Sequence, residues 1–243
     1  MSLSLFHPNE RIYILCDTIS KEIIDKLMKK IKLNIIWIVE LDKYTKLNRT
    51  TMERLDIWSE FQMSKSIVID KALQTEKDTL FLDCDIILLN KIDDVIDGDY
   101  DIGVSPGFIN KETAIKVGKY NGGMLWVKNK LISQKWREYT KTSRYFDQAS
   151  IEDLVREFKS FEFDDNYNLQ TWRFIVGQEN AITIMSYISP KNGCIMYKNK
   201  PLKFLHTHFN DSRFNSINNY FKMIIKKSNM KRVMECIEEV EKN

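Results

Sequence analysis

The 243 residues are 43% hydrophobic and 29% charged, and 37 basic against 34 acidic side chains leave a formal net charge of +3. Those values set disordered and fibrous classes aside and are too weakly basic to argue for nucleic acid, while the length suits one sizeable core over residues 1–243. Four widely spaced cysteines without a CxxC pair read as free thiols, no run approaches the ~20 apolar residues of a membrane span, and no secretory apolar core precedes Arg11, so a cytoplasmic protein is expected.

Arg11 to Cys16 reads as a first buried strand, and Lys21 to Ile31 places Ile23, Ile24, Leu27, Met28 and Ile31 at helical spacing. Asn34 to Val39 is a second strand. Trp58 to Gln74 follows as one long helix, with Trp58, Phe61, Ile67, Val68 and Leu73 available for burial, and leads into the apolar strand Thr79 to Leu88. Alternating strands and helices predict an α/β fold with a mostly parallel central sheet flanked by helices, whose strands end along one ligand-binding edge.

In the second half, Asp101 to Ser105 and Met124 to Val127 read as strands, and Lys130 to Tyr139 and Gln148 to Phe158 as helices. A helical region over 216–241 closes the chain, and its basic amphipathic run Tyr220 to Lys227 reads as a packing face rather than a membrane-surface contact. Nothing resembling a linker or repeat divides the chain.

The strand Thr79 to Leu88 runs through Asp83-Cys84-Asp85. Alternation along a strand would aim both carboxylates to one side and Cys84 into the core. Two like charges in one small space call for a cation, and an oxygen-rich set favours Mg2+, Mn2+ or Ca2+ over zinc. Solvation at a strand end is the bland alternative. Further along, Asn121-Gly122-Gly123 reads as a turn whose glycines permit positive φ and close approach to a ligand, or as a plain hairpin turn. Asp147 could cap the first turn of a helix.

The run Thr79 to Leu89 resembles the metal-binding Asp-x-Asp segment of GT-A fold (Rossmann-like) glycosyltransferases, which use nucleotide-diphospho-sugars. Tyr120 to Asn129, Phe146-Asp147-Gln148 and Leu202 to His206 resemble later segments of the same family in the same order, so the resemblance runs from about Arg11 to Arg213. The nearest flavour is the retaining bacterial galactosyltransferase and glycogenin-like group. It implies Mn2+ or Mg2+ held by Asp83, Asp85 and His206, with His208 as the other candidate ligand. Asp83 would also address the ribose, and the loop at Thr18 the nucleotide. Asn121 would face the sugar or acceptor, Asp147 the donor hydroxyls, and Gln148 the reacting face. Gly122 and Gly123 would line the donor, and Lys65 and Arg213 are candidates for the diphosphate because each supplies positive charge. The implied reaction moves a hexose from a UDP-sugar to an acceptor hydroxyl with retention.

Lys200-Pro201 precedes His206, whereas the family places a Lys-Pro pair after its histidine. Asp164-Asp165-Asn166-Tyr167-Asn168 and Gln178-Glu179-Asn180 are polar clusters that read as solvated loops or as lining of the acceptor or sugar pocket, and one of their acids would serve as general base if the reaction inverted configuration. Two rivals remain. A haloacid-dehalogenase-type phosphatase also ends an apolar strand in Asp-x-Asp, but its motif opens the domain and is followed by Thr or Ser rather than Ile86 and Ile87. A non-catalytic nucleotide- or glycan-binding module would need none of the acids. Nucleotidylyltransferases need a glycine-rich loop, and residues 11–20 contain none.

Overall fold

Strands β1 (Arg11–Cys16) and β2 (Asn34–Val39) pair in parallel, Arg11 opposite Asn34 and Cys16 opposite Val39, in a computed structural model that describes residues 2–28, 33–92, 96, 98–209 and 211–241. The connecting helix is Thr18–Leu27, three residues earlier than its apolar spacing suggests. Asp17 fixes that start by accepting the Ser20 N–H at 2.6 Å. Ile31 lies outside the described residues.

The remaining strands, in chain order, are β3 (Thr79–Leu82), β4 (Ile86–Leu88), β5 (Ile102–Pro106), β6 (Tyr120–Val127), β7 (Ser160–Glu162), β8 (Asn168–Gln170), β9 (Ile188–Lys191), β10 (Cys194–Tyr197), β11 (Lys200–Pro201) and β12 (Phe204–His206). One sheet runs β3-β6-β5-β7 and another β4-β12-β8, with β9, β10 and β11 forming a separate meander. The α/β class stands. Strand directions, however, are mixed rather than mostly parallel: β1–β2, β5–β7 and β8–β12 run parallel, and the other described pairings run antiparallel.

Two expected long helices are each broken by a serine. Trp58–Met63 and Lys65–Ala72 part at Ser64, whose hydroxyl donates to the Phe61 carbonyl at 2.6 Å. Phe146–Ala149 and Ile151–Glu157 part at Ser150, whose hydroxyl donates to the Asp147 carbonyl at 2.8 Å. In both places a side chain takes a carbonyl that an unbroken helix would have used. The second break holds Asp147 in its own short turn, and Phe146 just before it takes a left-handed φ of 41°.

Burial follows the apolar pattern. Ile69 and Leu73 pack with Ile102, Val104, Leu125, Val127 and Trp136 on one side of the four-stranded sheet. The terminal region is two helices, Asn215–Lys227 and Lys231–Glu241, and Phe221, Ile224 and Ile225 press on Leu202, Leu205 and Tyr197. Its apolar face is therefore spent on the core. Among the described residues, no helix is long and apolar enough to cross a membrane.

Candidate active site

β3 ends at Leu82, and Asp83-Cys84-Asp85 is a tight turn into β4 of a different sheet. The Ile86 N–H closes it on the Asp83 carbonyl at 3.2 Å. Cys84 is exposed rather than in the core, because the turn, not strand alternation, brings the two carboxylates together. Each acid is anchored to a different sheet. The Asp83 N–H donates to the Gly123 carbonyl of β6 at 2.8 Å, and the Asp85 carbonyl accepts from both N–H and Oγ1 of Thr207, each at 3.0 Å.

β12 delivers the imidazole. Oxygens of Asp83 and Asp85 and a ring nitrogen of His206 all lie within 4.8 Å of one another. Nε2 of His206 stands 3.0 Å from Oδ1 of Asp85, and Nδ1 of His208 stands 3.4 Å from its Oδ2. Burial raises the Asp85 carboxyl, but the neighbouring His206 and His208 imidazoles outweigh it and hold the group below the usual carboxylate range. Asp83 moves the other way, since burial pushes it up more than Lys65 and His206 pull it down.

Lys65 opens its helix at the floor of this space. Its ammonium is 2.8 Å from Oδ2 of Asp147, 3.5 Å from Oδ1 of Asp83 and 3.2 Å from the Gly122 carbonyl. Burial lowers the ammonium, and Asp147 and Asp83 more than reverse it, keeping the group charged. Asp147 is almost wholly buried, and its carbonyl accepts the Trp136 indole N–H at 2.8 Å. Gln148 beside it is half-buried.

Asn121, Gly122 and Gly123 lie within β6 and not in a turn, and neither glycine has positive φ. The register slips here, from Val104 opposite Leu125 to Ser105 opposite Asn121, so these residues form an irregularity that bends β6 towards the acids. Close approach is what requires glycine. A Cβ on Gly123 would fall 2.6 Å from both Asp83 Oδ2 and His206 Cε1, and one on Gly122 would fall 2.6 Å from Asp147 Oδ2. Oδ1 of Asn121 accepts from Gly123 N–H at 3.1 Å and from Asn168 Nδ2 at 3.2 Å, which also reaches Ser105 Oγ at 2.9 Å.

Asn168 opens a row that the sequence did not disclose as a unit. Asn168 Oδ1, Gln170 Nε2 and Thr171 Oγ1 are buried and have no hydrogen-bond partner. Asn168 and Gln170 share the face of β8 opposite Leu169, which sits in the core. Unmatched polar atoms along one strand face are free to bond a ligand or water. Alternation over three residues is too short a signal to find from sequence.

Other expected residues stand apart from the acids. Thr18 gives its N–H and hydroxyl to Asp42 at 2.7 and 2.9 Å. Arg213 pairs with Asp211 at 2.6 Å and lies over the Trp172 ring, whose edge meets His208. Lys200 pairs with Asp164, Lys198 with Asp165, and Glu179 accepts from Tyr187. Asn180 caps the helix Ala181–Ser186.

The donor set fits a divalent cation. Asp85 Oδ1 is buried and lacks an aligned hydrogen bond although His206 Nε2 is 3.0 Å away, so the two atoms face a common point rather than each other. Neighbouring donors about an octahedral ion with ~2.1 Å bonds stand about 3.0 Å apart. Glycine 123 keeps that space clear.

A model of the nucleotide-diphospho-sugar transferase family matches residues 22–228, and with the fold above it defines a GT-A-like glycosyltransferase. The chain belongs to the nucleotide-diphospho-sugar transferase family. Among solved structures, the apo form of mouse xyloside xylosyltransferase 1 is similar at a TM-score of 0.49 and 11% identity, over 85% of this chain and 89% of that one. A search among curated proteins finds no match.

Proposed function

We propose that the chain, as a single domain, moves a hexose from a UDP-sugar to an acceptor hydroxyl with retention, using Mn2+ or Mg2+ at Asp83, Asp85 and His206. The observation that carries this reading is the convergence of those three side chains within 4.8 Å of one another, beside the half-buried Lys65 ammonium. A divalent cation there would neutralise charge on the departing diphosphate. UDP, hexose and retention rest on the resemblance to the retaining galactosyltransferase and glycogenin-like group.

The chain's own residues then divide the work. Lys65 holds Asp147 in place, so that its carboxylate accepts hydrogen bonds from donor-sugar hydroxyls. Gly122 and Gly123 let the sugar approach the backbone, Asn121 faces its ring, and Gln148 lies at the reacting face. Thr18 sits at the end of β1, where the nucleotide is expected, and Arg213 reaches towards the diphosphate from beside Trp172. Retention is supported by Asp164, Asp165 and Glu179, each already engaged with a lysine or tyrosine and none placed as a free base. The unpaired cysteines agree with a cytoplasmic setting.

The test is release of UDP from a panel of UDP-sugars with Mn2+, with and without chelator, and NMR assignment of the product anomer. Release that survives both chelator and Asp85→Ala defeats the proposal. Inorganic phosphate liberated from simple phosphomonoesters would favour the phosphatase, and UDP binding without turnover the binding module.

A further inference from the structure

Arg173 is 2% exposed, and its Nε and Nη1 have no hydrogen-bond partner. Only Nη2 is satisfied, by the Tyr197 hydroxyl at 2.9 Å. The guanidinium lies between two rings, 4.6 Å from the centre of Phe108 and 5.4 Å from that of Tyr197. Among the described residues no carboxylate pairs with it. Aromatic faces attract the charge but leave the two N–H groups unanswered, and a buried cation without an anion is strongly unfavourable.

The position of Arg173 suggests what answers them. It follows Gln170 and Thr171, which end the row of unmatched polar atoms that begins at Asn168 beside Asn121. Trp172, its neighbour, meets His208, and His208 faces Asp85. Lys65 stands on the other flank of the acids, with Asp147. Arg173 thus follows the unmatched row in sequence, and Phe108, whose ring it meets, comes three residues after Ser105, the hydrogen-bond partner of Asn168. Phe108 covers the guanidinium, half-buried and held at a left-handed φ of 49° directly after Gly107.

We propose that Arg173 recognises an oxyanion, a carboxylate or a phosphate, carried by the acceptor. Each edge of the guanidinium pairs one unmatched nitrogen, Nε or Nη1, with one of the two N–H groups of Nη2, and since Tyr197 takes only one of those, the other edge remains a planar fork that grips two oxygens at once. Phe108 turns aside to admit the group. The inference rests on the glycosyltransferase reading of the cleft and adds to it the acceptor class: an acidic or phosphorylated glycan in place of a neutral one.

The experiment is titration calorimetry on the full chain with sodium glucuronate, glucose 6-phosphate and glucose, with and without saturating UDP and Mn2+. UDP blocks the donor site, so the signal of interest is the one that persists in its presence. At least one charged probe is expected to bind saturably where glucose does not, and which one binds tells carboxylate from phosphate. Arg173→Met is expected to weaken that binding by about tenfold or more while melting at or above the wild type, because an unpaired buried charge has been removed. Arg173→Lys keeps the charge, loses the fork and falls by a similar factor, about tenfold. Phe108→Ala binds at least as tightly as the wild type. Equal binding of charged and neutral probes overturns the inference. So does Arg173→Met that keeps its affinity, or that melts lower or fails to fold, since the guanidinium would then belong to the scaffold. If UDP binds and the anions do not, the acceptor inference alone fails. If UDP does not bind, the donor reading fails and the Arg173-dependent signal is still measured without it.

Discussion

The Lys65 ammonium stands 2.8 Å from Oδ2 of Asp147 in a place where the carboxylate is 4% exposed and the lysine 17%. Breaking that pair leaves the Asp147 carboxylate enclosed without its partner. Lys65→Met is expected to cost about 3–5 kcal/mol of stability and to abolish UDP release, as read by urea unfolding and turnover on the same sample. A variant as stable as the wild type would show that water replaces the ammonium.

His206 and His208 both address Asp85, but only His206 is grouped with both acids within ligand range. Asp85→Ala and His206→Ala should each reduce metal-dependent UDP release by roughly 100-fold, and calorimetry should show the loss of Mn2+ binding. His208→Ala should keep most of it. The reverse order for the two histidines would reassign the ligand.

Gly123→Ala tests the crowding directly. A methyl 2.6 Å from Asp83 Oδ2 must displace that carboxylate or the His206 ring. Because a shift of about 1 Å in a catalytic constellation costs about 100-fold, turnover should fall by that order while far-UV circular dichroism is unchanged. Normal kinetics would mean that the acids move freely.

Asp17 gives a pH dependence remote from the acids. The Ser20 backbone N–H holds its carboxyl below its ordinary value, so its contribution is present above the unfolded pKa and is lost as pH falls through the folded one. Asp17→Ala should cost about 1 kcal/mol near neutrality. Asp17→Asn keeps an acceptor for Ser20 and should therefore flatten the decline in melting temperature between neutral and strongly acidic pH. An unaltered slope would show that the cap does not titrate.

Much of the site could be read because its residues sit where strong local patterns end. The apolar run from Thr79 to Leu82 stops at Asp83, and the run from Met124 to Val127 begins just after Asn121-Gly122-Gly123, so their neighbourhood at one sheet edge follows from strand pairing. Lys65 was legible as a cation near the acids, but its partner Asp147 is 82 positions away and no spacing links them. The breaks at Ser64 and Ser150 were hidden because serine fits a helix by pattern and interrupts it only through its hydroxyl. Gln170 and Arg173 looked ordinary because burial, the fact that makes their unmatched atoms telling, comes from elements far along the chain.

Cys84 is the only residue between an acid tied to β6 and an acid tied to the segment after β12. Any ligand that takes hold of both carboxylates thus clamps two sheets across a single intervening residue. Relative sliding of the sheets becomes a way to alter grip on the ligand, and the empty protein should breathe along this seam more than the loaded one.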